Sequence, residues 1–177
     1  MSDFRNWIEK ISTKIPGYSG YVDKEGRRDA DKRHRENLAN RLRAIKAPLT
    51  EFMKELTNSG RLFEINPVDS ALKKLDKVEN RVRGATYGYG GFFDAVKIEE
   101  AQLDAIYRFD LSLAEQVEKL EAAVAALRAQ GGTPDGLKTA AAQLNSALDA
   151  FDRSFDDRYK AITDFQAEQP QGRPLFS

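Results

Sequence analysis

Two long segments of this sequence repeat apolar residues at alternating intervals of three and four, and no other feature restricts the fold as strongly. They cover residues 99–129 and 134–165. Because an α-helix turns once every ~3.6 residues, this spacing gathers the apolar side chains on one face of a helix. Gly131 and Gly132 lie between the two segments, and Thr133 is suited to cap the second. The sequence therefore predicts two long helices joined as an antiparallel hairpin.

The preceding part of the chain predicts three further helices with the same kind of spacing. They cover approximately residues 3–13, 23–58 and 66–84. Pro48 falls inside the longest of them. We expect it to kink or restart that helix, because its ring clashes with the preceding turn. No segment alternates apolar and polar residues for long enough to predict a strand.

Together these helices predict an all-α fold. We expect an elongated antiparallel bundle of four to five helices with left-handed, coiled-coil-like packing. The length of 177 residues suits one domain, and we assign residues 1–165 to a single helical-bundle domain. Residues 166–177 are polar and contain two prolines, which predicts a mobile C-terminal tail.

The composition excludes several classes of chemistry. The chain has no Cys and a single His, which is His34. Disulfides, thiolate nucleophiles, cysteine zinc sites and the paired Glu-x-x-His motifs of di-iron bundles are therefore excluded, and we predict no metal and no cofactor. His34 stands between Arg33 and Arg35, which predicts a surface or interface position and a lowered pKa. No run approaches the ~18 apolar residues of a membrane span, which predicts a soluble, cytoplasmic protein.

The net charge of zero conceals two halves of opposite charge. The chain contains 28 basic and 28 acidic residues. Residues 1–98 hold 20 basic and 14 acidic residues, whereas residues 99–177 hold 8 and 14. The balanced total excludes a strongly cationic nucleic-acid binder as a description of the whole chain. We expect the two halves to neutralise each other when they dock.

Two polar residues interrupt the apolar faces of the predicted hairpin. Asp110 stands at such a position in its first helix, and Arg158 does so in its second. If the hairpin folds about residues 130–133, Asp110 faces Arg153, and an Arg158 side chain is long enough to reach it as well. We therefore predict a structural ion pair between Asp110 and either Arg153 or Arg158, with a ligand-binding charge as the alternative.

The start of the long N-terminal helix predicts a candidate binding surface. Eleven of the fifteen residues 23–37 are charged, at positions where leucines should continue the apolar face. Two loops rich in glycine and aromatic residues, 15–21 and 87–93, are expected to meet this segment. Arginines stacked on tyrosines would form a binding surface; the alternative is packing of the bundle end, with the arginines paired to Asp29, Asp31 and Glu36. The candidate binding residues are Tyr18, Tyr21, Arg27, Arg28, Arg35, Tyr87, Tyr89 and Phe92.

Two blocks of the sequence resemble a known group of proteins. The first is IPGYSGY at residues 15–21 followed by KEGRRDADK at residues 24–32, and the second covers residues 87–98. These blocks, about a fifth of the chain, resemble recurring segments of a group of uncharacterised bacterial helical proteins. The resemblance implies a helical protein of bacterial origin. It implies no activity, because no function is established for that group.

No motif in the sequence indicates catalysis. Residue 21 is Tyr where a nucleophile elbow needs Gly, and residues 84–91 lack the Lys-Ser/Thr ending of a phosphate-binding loop. The leading prediction is a non-enzymatic protein–protein interaction or scaffold module that binds another protein or its own copy. One alternative is a peripheral membrane adaptor that uses the amphipathic N-terminal helix. Another is a small-ligand or nucleic-acid binder at the Tyr/Arg cluster, where acidic residues within the basic run disfavour nucleic acid.

Overall fold

The computed structural model describes residues 2–21, 24–85 and 98–168. Within these ranges the chain forms five α-helices and no strand, so the prediction of an all-α bundle is confirmed. The helices are α1 (Ser2–Lys14), α2 (Lys24–Asn58), α3 (Ile65–Gly84), α4 (Glu100–Gln130) and α5 (Pro134–Glu168), and a 3₁₀ turn, Leu62–Glu64, precedes α3. At ~1.5 Å per residue, α4 and α5 extend about 46 and 52 Å, which makes the bundle elongated.

Two details of the helices differ from the prediction. α2 runs through Pro48 without interruption, so the helix does not restart there. The missing N–H of Pro48 leaves the carbonyl of Ala44 without its helical partner, and Ala44 lies on the exposed side of α2. α5 continues to Glu168, into the segment predicted to be a tail. The rest of that predicted tail, residues 169–177, lies outside the described residues.

The apolar core consists of two clusters along the bundle. The larger cluster joins the apolar faces of α2, α3, α4 and α5. α3 is shorter than its neighbours, and beyond its end α1 and residues 15–21 supply the packing instead. The second cluster therefore joins α1 and the following turn to the first part of α2 and α4 and the last part of α5. Its buried members are Ile11, Ile15, Tyr18, Tyr21, Ala30, Ile98, Ile106, Tyr107, Ala114 and Ile162.

One end of the bundle is closed by two turns that are bonded to each other. Gly60, with a φ of +75°, turns the chain from α2 into the 3₁₀ turn. Arg61 then donates from Nη1 to the carbonyl oxygen of Gly131, at 2.7 Å, in the turn between α4 and α5. Its Nε donates to Glu64 Oε1 at 2.8 Å. Arg61 thus fixes the α2–α3 turn against the α4–α5 turn.

Ion pairs join the basic first half of the chain to the acidic second half, as expected from the charge distribution. Arg41 on α2 donates from Nε and Nη2 to the two carboxylate oxygens of Glu121 on α4, at 2.8 and 2.7 Å. Pairs of this exposed kind contribute only ~0–1 kcal/mol each. They therefore favour the correct pairing of helices more than they add stability. The other pairs are Lys14–Glu118, Lys74–Asp149, Lys77–Asp152, Arg81–Asp152 and Arg81–Asp156.

Candidate functional site: a buried polar network

Asp110 and Arg158 form a buried ion pair between α4 and α5. Both side chains are 0% exposed, and Arg158 Nε donates to Asp110 Oδ1 at 2.7 Å. Arg153, the other partner considered from the sequence, is exposed on α5. Asp110 therefore lies opposite a residue five positions closer to the C-terminus of α5 than a hairpin folded symmetrically about residues 130–133 would place there. The hydrogen bond from Gln116 Nε2 to Ser154 Oγ, at 2.9 Å, shows a displacement in the same direction.

A second buried carboxylate, that of Asp31 on α2, extends this pair. Arg158 Nη2 donates to Asp31 Oδ1 at 2.9 Å, and Arg35 Nε donates to Asp31 Oδ2 at 2.7 Å. Arg35 also donates to the carbonyl oxygen of Arg83, at 3.5 Å, in the last turn of α3. Two carboxylates and two guanidinium groups thus alternate in the interior, which compensates their charges. The cluster connects α2, α3, α4 and α5.

Three tyrosine hydroxyls complete the network: those of Tyr18 and Tyr21 in the segment after α1, and that of Tyr107 on α4. Tyr18 and Tyr21 both donate from Oη to Asp110 Oδ2, at 3.1 and 2.5 Å. The Tyr107 hydroxyl accepts the backbone N–H of Tyr21 at 2.7 Å. Asp110 therefore receives hydrogen bonds on both carboxylate oxygens, which is what a buried carboxylate requires.

The turn that carries Tyr18 and Tyr21 depends on two glycines. Gly17 and Gly20 have φ values of +77° and +80°. A Cβ at Gly20 would lie 2.6 Å from Cδ1 of Ile8. The left-handed backbone and this close approach together restrict the position to glycine. The glycines of the IPGYSGY segment thus shape the turn that directs the tyrosine hydroxyls into the interior.

The protonation states in the network follow from burial and from compensation of charge. Burial alone raises the pKa of Asp110, but Arg158, His34 and the Tyr21 hydroxyl outweigh this effect, and the net pKa is lowered. Asp110 is therefore ionised at neutral pH. Burial is the main cause that raises the pKa of Tyr18 and of Tyr21 well above 10.0, so both remain protonated donors.

His34 is buried, so the prediction of a surface or interface position is wrong. Its side chain is 0% exposed, and its Nε2 lies 3.3 Å from Asp110 Oδ1. Among the described residues, neither ring nitrogen has a hydrogen-bond partner of good geometry. Burial is the main reason that the pKa of His34 falls from 6.5 to about 4, and Asp110 opposes this fall. The imidazole is therefore neutral at pH 7.

Most of the described candidates for a binding surface lie in the interior. Arg28 is exposed, whereas the other four described candidates are buried. The Arg35–Asp31 ion pair matches the alternative in which the arginines pair with nearby carboxylates. Three further candidates, Tyr87, Tyr89 and Phe92, lie outside the described residues. The four buried candidates are Tyr18, Tyr21, Arg27 and Arg35.

Part of the apolar face that begins in α1 packs against the bundle. Ile11 and Ile15 are 0% and 1% exposed. Trp7 is partly buried, and its Nε1 donates to Asp104 Oδ1 of α4 at 2.8 Å. None of the described helices combines the length and the apolar composition that a membrane crossing requires.

Among the described residues, the most exposed apolar side chains lie at the opposite end of the bundle, and sequence reasoning missed them. In the 3₁₀ turn, Leu62 is 57% and Phe63 99% exposed. We call residues 61–64 the Phe63 corner. The sequence did contain an indication of this exposure. Leu62 and Phe63 stand between Gly60 and Pro67, outside the predicted helices, so no apolar helix face accounts for them.

A groove lies at the far end of α3 from the Phe63 corner. Its volume is about 520 Å³, and it is formed by the end of α3 and by α5. Ala85, Phe155 and Tyr159 supply apolar lining. Arg81 lies over the Phe155 ring, 5.9 Å from its centroid, and pairs with Asp156 at the groove. The groove is therefore apolar inside, with one cation and one anion beside it.

Neither a metal centre nor a relative identifies the site. The described ranges contain no group of three or more His, Asp or Glu side chains placed to hold a metal ion. Comparisons with protein-family models, with curated proteins and with solved structures find no match for this chain. The resemblance of residues 15–32 and 87–98 to a bacterial helical group stays a prediction.

Proposed function

We propose that the protein is a non-catalytic interaction or scaffold module and that the Phe63 corner is its contact surface. One observation carries this proposal: Phe63 is 99% exposed on a turn held by the bonds of Arg61 to Glu64 and Gly131. Fully burying a phenylalanine side chain contributes ~1.5–3 kcal/mol. An aromatic ring on a fixed turn also loses little conformational entropy when a partner covers it.

The buried network supports a structural role for the residues that could otherwise perform chemistry. Asp31, His34, Asp110 and Arg158 are each at most 2% exposed. Charged groups with well-satisfied hydrogen bonds in a core can select one packing arrangement among several, and we assign that role here. In this proposal the buried network holds the helices in register, and a partner is contacted at the Phe63 corner, at the other end of the bundle.

A photo-crosslinking amino acid placed at position 63 tests the proposal. We expect light-dependent adducts when the benzophenone analogue of phenylalanine replaces Phe63 in cells that express the protein. The matched control carries the same analogue in place of Lys73, whose side chain is 77% exposed on α3 but is not apolar. Mass spectrometry of the adducts identifies what is bound. Equal or absent adduct formation at the two positions would contradict the proposed contact surface.

A further inference from the structure

We propose that α1 and the turn that follows it open from the bundle as one unit under mildly acidic conditions, and that proton uptake by His34 drives this opening. We call residues 2–21 the N-terminal unit. The opening is a pH-sensitive switch, and it is separate from the contact proposed at the Phe63 corner, which lies at the other end of the bundle. Its moving part is one helix and one turn, and its sensor is a buried imidazole on α2.

The N-terminal unit can open without disrupting the larger core. The larger apolar cluster is built from α2, α3, α4 and α5 and includes no described side chain of the N-terminal unit. The unit contributes Ile11, Ile15, Tyr18 and Tyr21 to the second cluster instead. Proteins open locally along such divisions, because an element whose packing is confined to one cluster can separate while the rest stays folded. Opening would therefore expose part of the second cluster and leave the packing among α2, α3, α4 and α5 in place.

Polar contacts hold the closed N-terminal unit mainly on α4. The hydroxyls of Tyr18 and Tyr21 both donate to Asp110, and the Tyr21 hydroxyl also accepts from Arg158 of α5 at 3.1 Å. These bonds are buried and must break when the unit opens. Other contacts involve partly exposed groups, so hydration can replace them at little cost. These contacts are Trp7–Asp104 and Lys14–Glu118.

His34 lies where the turn of the N-terminal unit meets α2 and α4. The edge of the Tyr18 ring faces the imidazole, with the ring centroids 6.3 Å apart. His34 Nε2 lies 3.3 Å from Oδ1 of Asp110, and the Tyr18 hydroxyl donates to Oδ2 of the same carboxylate. Neither imidazole nitrogen has a hydrogen-bond partner of good geometry in the described ranges. Departure of the turn would admit water to these nitrogens, which the closed state leaves without a hydrogen bond.

The charges that face His34 are already compensated in the closed state. Asp110 accepts from Arg158, and Asp31 accepts from both Arg158 and Arg35. A protonated His34 would add a cation to this set in a place that water does not reach, which is costly. The groups that act on the imidazole are Asp110 of α4, Arg158 of α5, Asp31 and Arg35 of α2, and the uncharged Tyr18 of the turn.

Proton uptake therefore favours the open state. In the closed state burial, with Arg158 and Arg35, lowers the pKa of His34 from 6.5 to about 4, against the opposing effect of Asp110 and Asp31. Opening removes the burial and restores the ordinary pKa. Because the open state then binds a proton that the closed state does not, the opening equilibrium increases as the pH falls. The increase from pH 7 to pH 5 is about 20-fold, of which about threefold falls between pH 7 and pH 6.

Hydrogen–deuterium exchange followed by mass spectrometry, with each rate divided by its intrinsic rate, is the measurement. Peptides from residues 5–15 report on the N-terminal unit, and peptides from residues 117–127 of α4 report on the larger core. We expect residues 5–15 to be less protected than residues 117–127 at every pH, because the unit opens before the whole protein unfolds. Their protection in the wild type should fall by about 20-fold from pH 7 to pH 5.

Two variants assign the effect to His34 and to the turn. His34→Gln cannot take up a proton, so residues 5–15 should be equally protected at pH 7 and pH 5. Tyr18→Phe is the matched control: it keeps the ring beside His34 but removes the hydroxyl bonded to Asp110. It should lower the protection at both pH values and leave the change with pH intact. Far-UV circular dichroism verifies that both variants are folded. If His34→Gln does not fold, the wild-type profile decides, since carboxyl groups ordinarily titrate near pH 4 and would place the change below pH 5.

Four outcomes would overturn the switch. Equal protection of residues 5–15 and 117–127 at each pH would mean that His34 is reached only by global unfolding. Protection of residues 5–15 that is constant between pH 7 and pH 5 would exclude His34 as the sensor. A pH dependence that persists in His34→Gln would assign the sensor to another group. Unchanged protection in Tyr18→Phe would show that the turn does not hold the unit closed.

Discussion

Acidification below pH 6.5 should destabilise the protein through His34. In the unfolded chain its pKa is near 6.5, whereas burial lowers it to about 4 in the folded protein. Between these values the unfolded state binds a proton that the folded state does not, so stability falls as the pH falls from 6.5 to 4. The difference of about 2.5 pKa units corresponds to about 3 kcal/mol at 1.36 kcal/mol per unit. Below pH 4 this loss is complete.

Urea unfolding at pH 7.0, 5.5 and 4.0, for the wild type and for His34→Gln, measures this effect. Gln does not titrate, so the free energy of unfolding of the variant relative to the wild type should increase by about 3 kcal/mol from pH 7 to pH 4. The lowered pKa of Asp110 does not interfere, because its stabilisation is lost only as the pH falls below the ordinary carboxyl value of 3.8. The baseline cost of the substitution cancels, since only the change with pH is compared.

Parallel pH profiles for the wild type and His34→Gln would refute the reasoning. They would mean that His34 has the same pKa in the folded and unfolded states and is therefore not buried in its neutral form. Because the chain contains one histidine, its Hε1 proton gives a single NMR signal that can be followed without assignment. Titration of that signal in the folded protein should have its midpoint near pH 4.

Four further substitutions test the network and the turns. Asp110→Asn leaves the guanidinium of Arg158 without its ionised partner on α4, and we expect a loss of ~3–5 kcal/mol in urea unfolding at pH 7. Gly20→Ala should lower the free energy of unfolding by more than ~1 kcal/mol, because it combines a left-handed φ with a clash against Ile8. Gly60→Ala is its matched comparison: φ is +75° there, but a Cβ would meet no atom of the described residues within 4 Å, so it should cost less than Gly20→Ala in the same assay. Phe63→Ser should leave the melting temperature of a dilute sample unchanged, since the ring is exposed.

The helices could be predicted from the sequence because the spacing of apolar residues and the glycines between helices depend only on residues close in sequence. The apolar face of α2 is buried, as the spacing of its leucines predicts. Leu38, Leu42 and Leu49, at intervals of four and seven residues, are examples. Pro48 shows the limit of local rules. Its position on α2 leaves the affected carbonyl on the exposed side, and the helix is held by packing on its other side, so it continues.

The buried network could be predicted only in part. Asp110 and Arg158 interrupt apolar faces, and this pattern was sufficient to expect a buried ion pair. His34 precedes Leu38 by four residues and so lies on the buried face, but its charged neighbours suggested solvent. The burial of Asp31 and Arg35 depends on contacts with α3 and α5, which spacing along α2 does not encode. The exposure of Phe63 likewise depends on the tertiary position of a turn.

The network also has a consequence for how the chain folds. It joins residues far apart in sequence: Tyr21 accepts a hydrogen bond from Arg158, 137 positions later. Such contacts form only after the intervening chain has closed its loops, and we therefore expect them to be absent from the folding transition state. Interactions formed after the transition state slow unfolding and leave the folding rate nearly unchanged. The Asp110–Arg158 network should therefore govern how long a folded molecule persists.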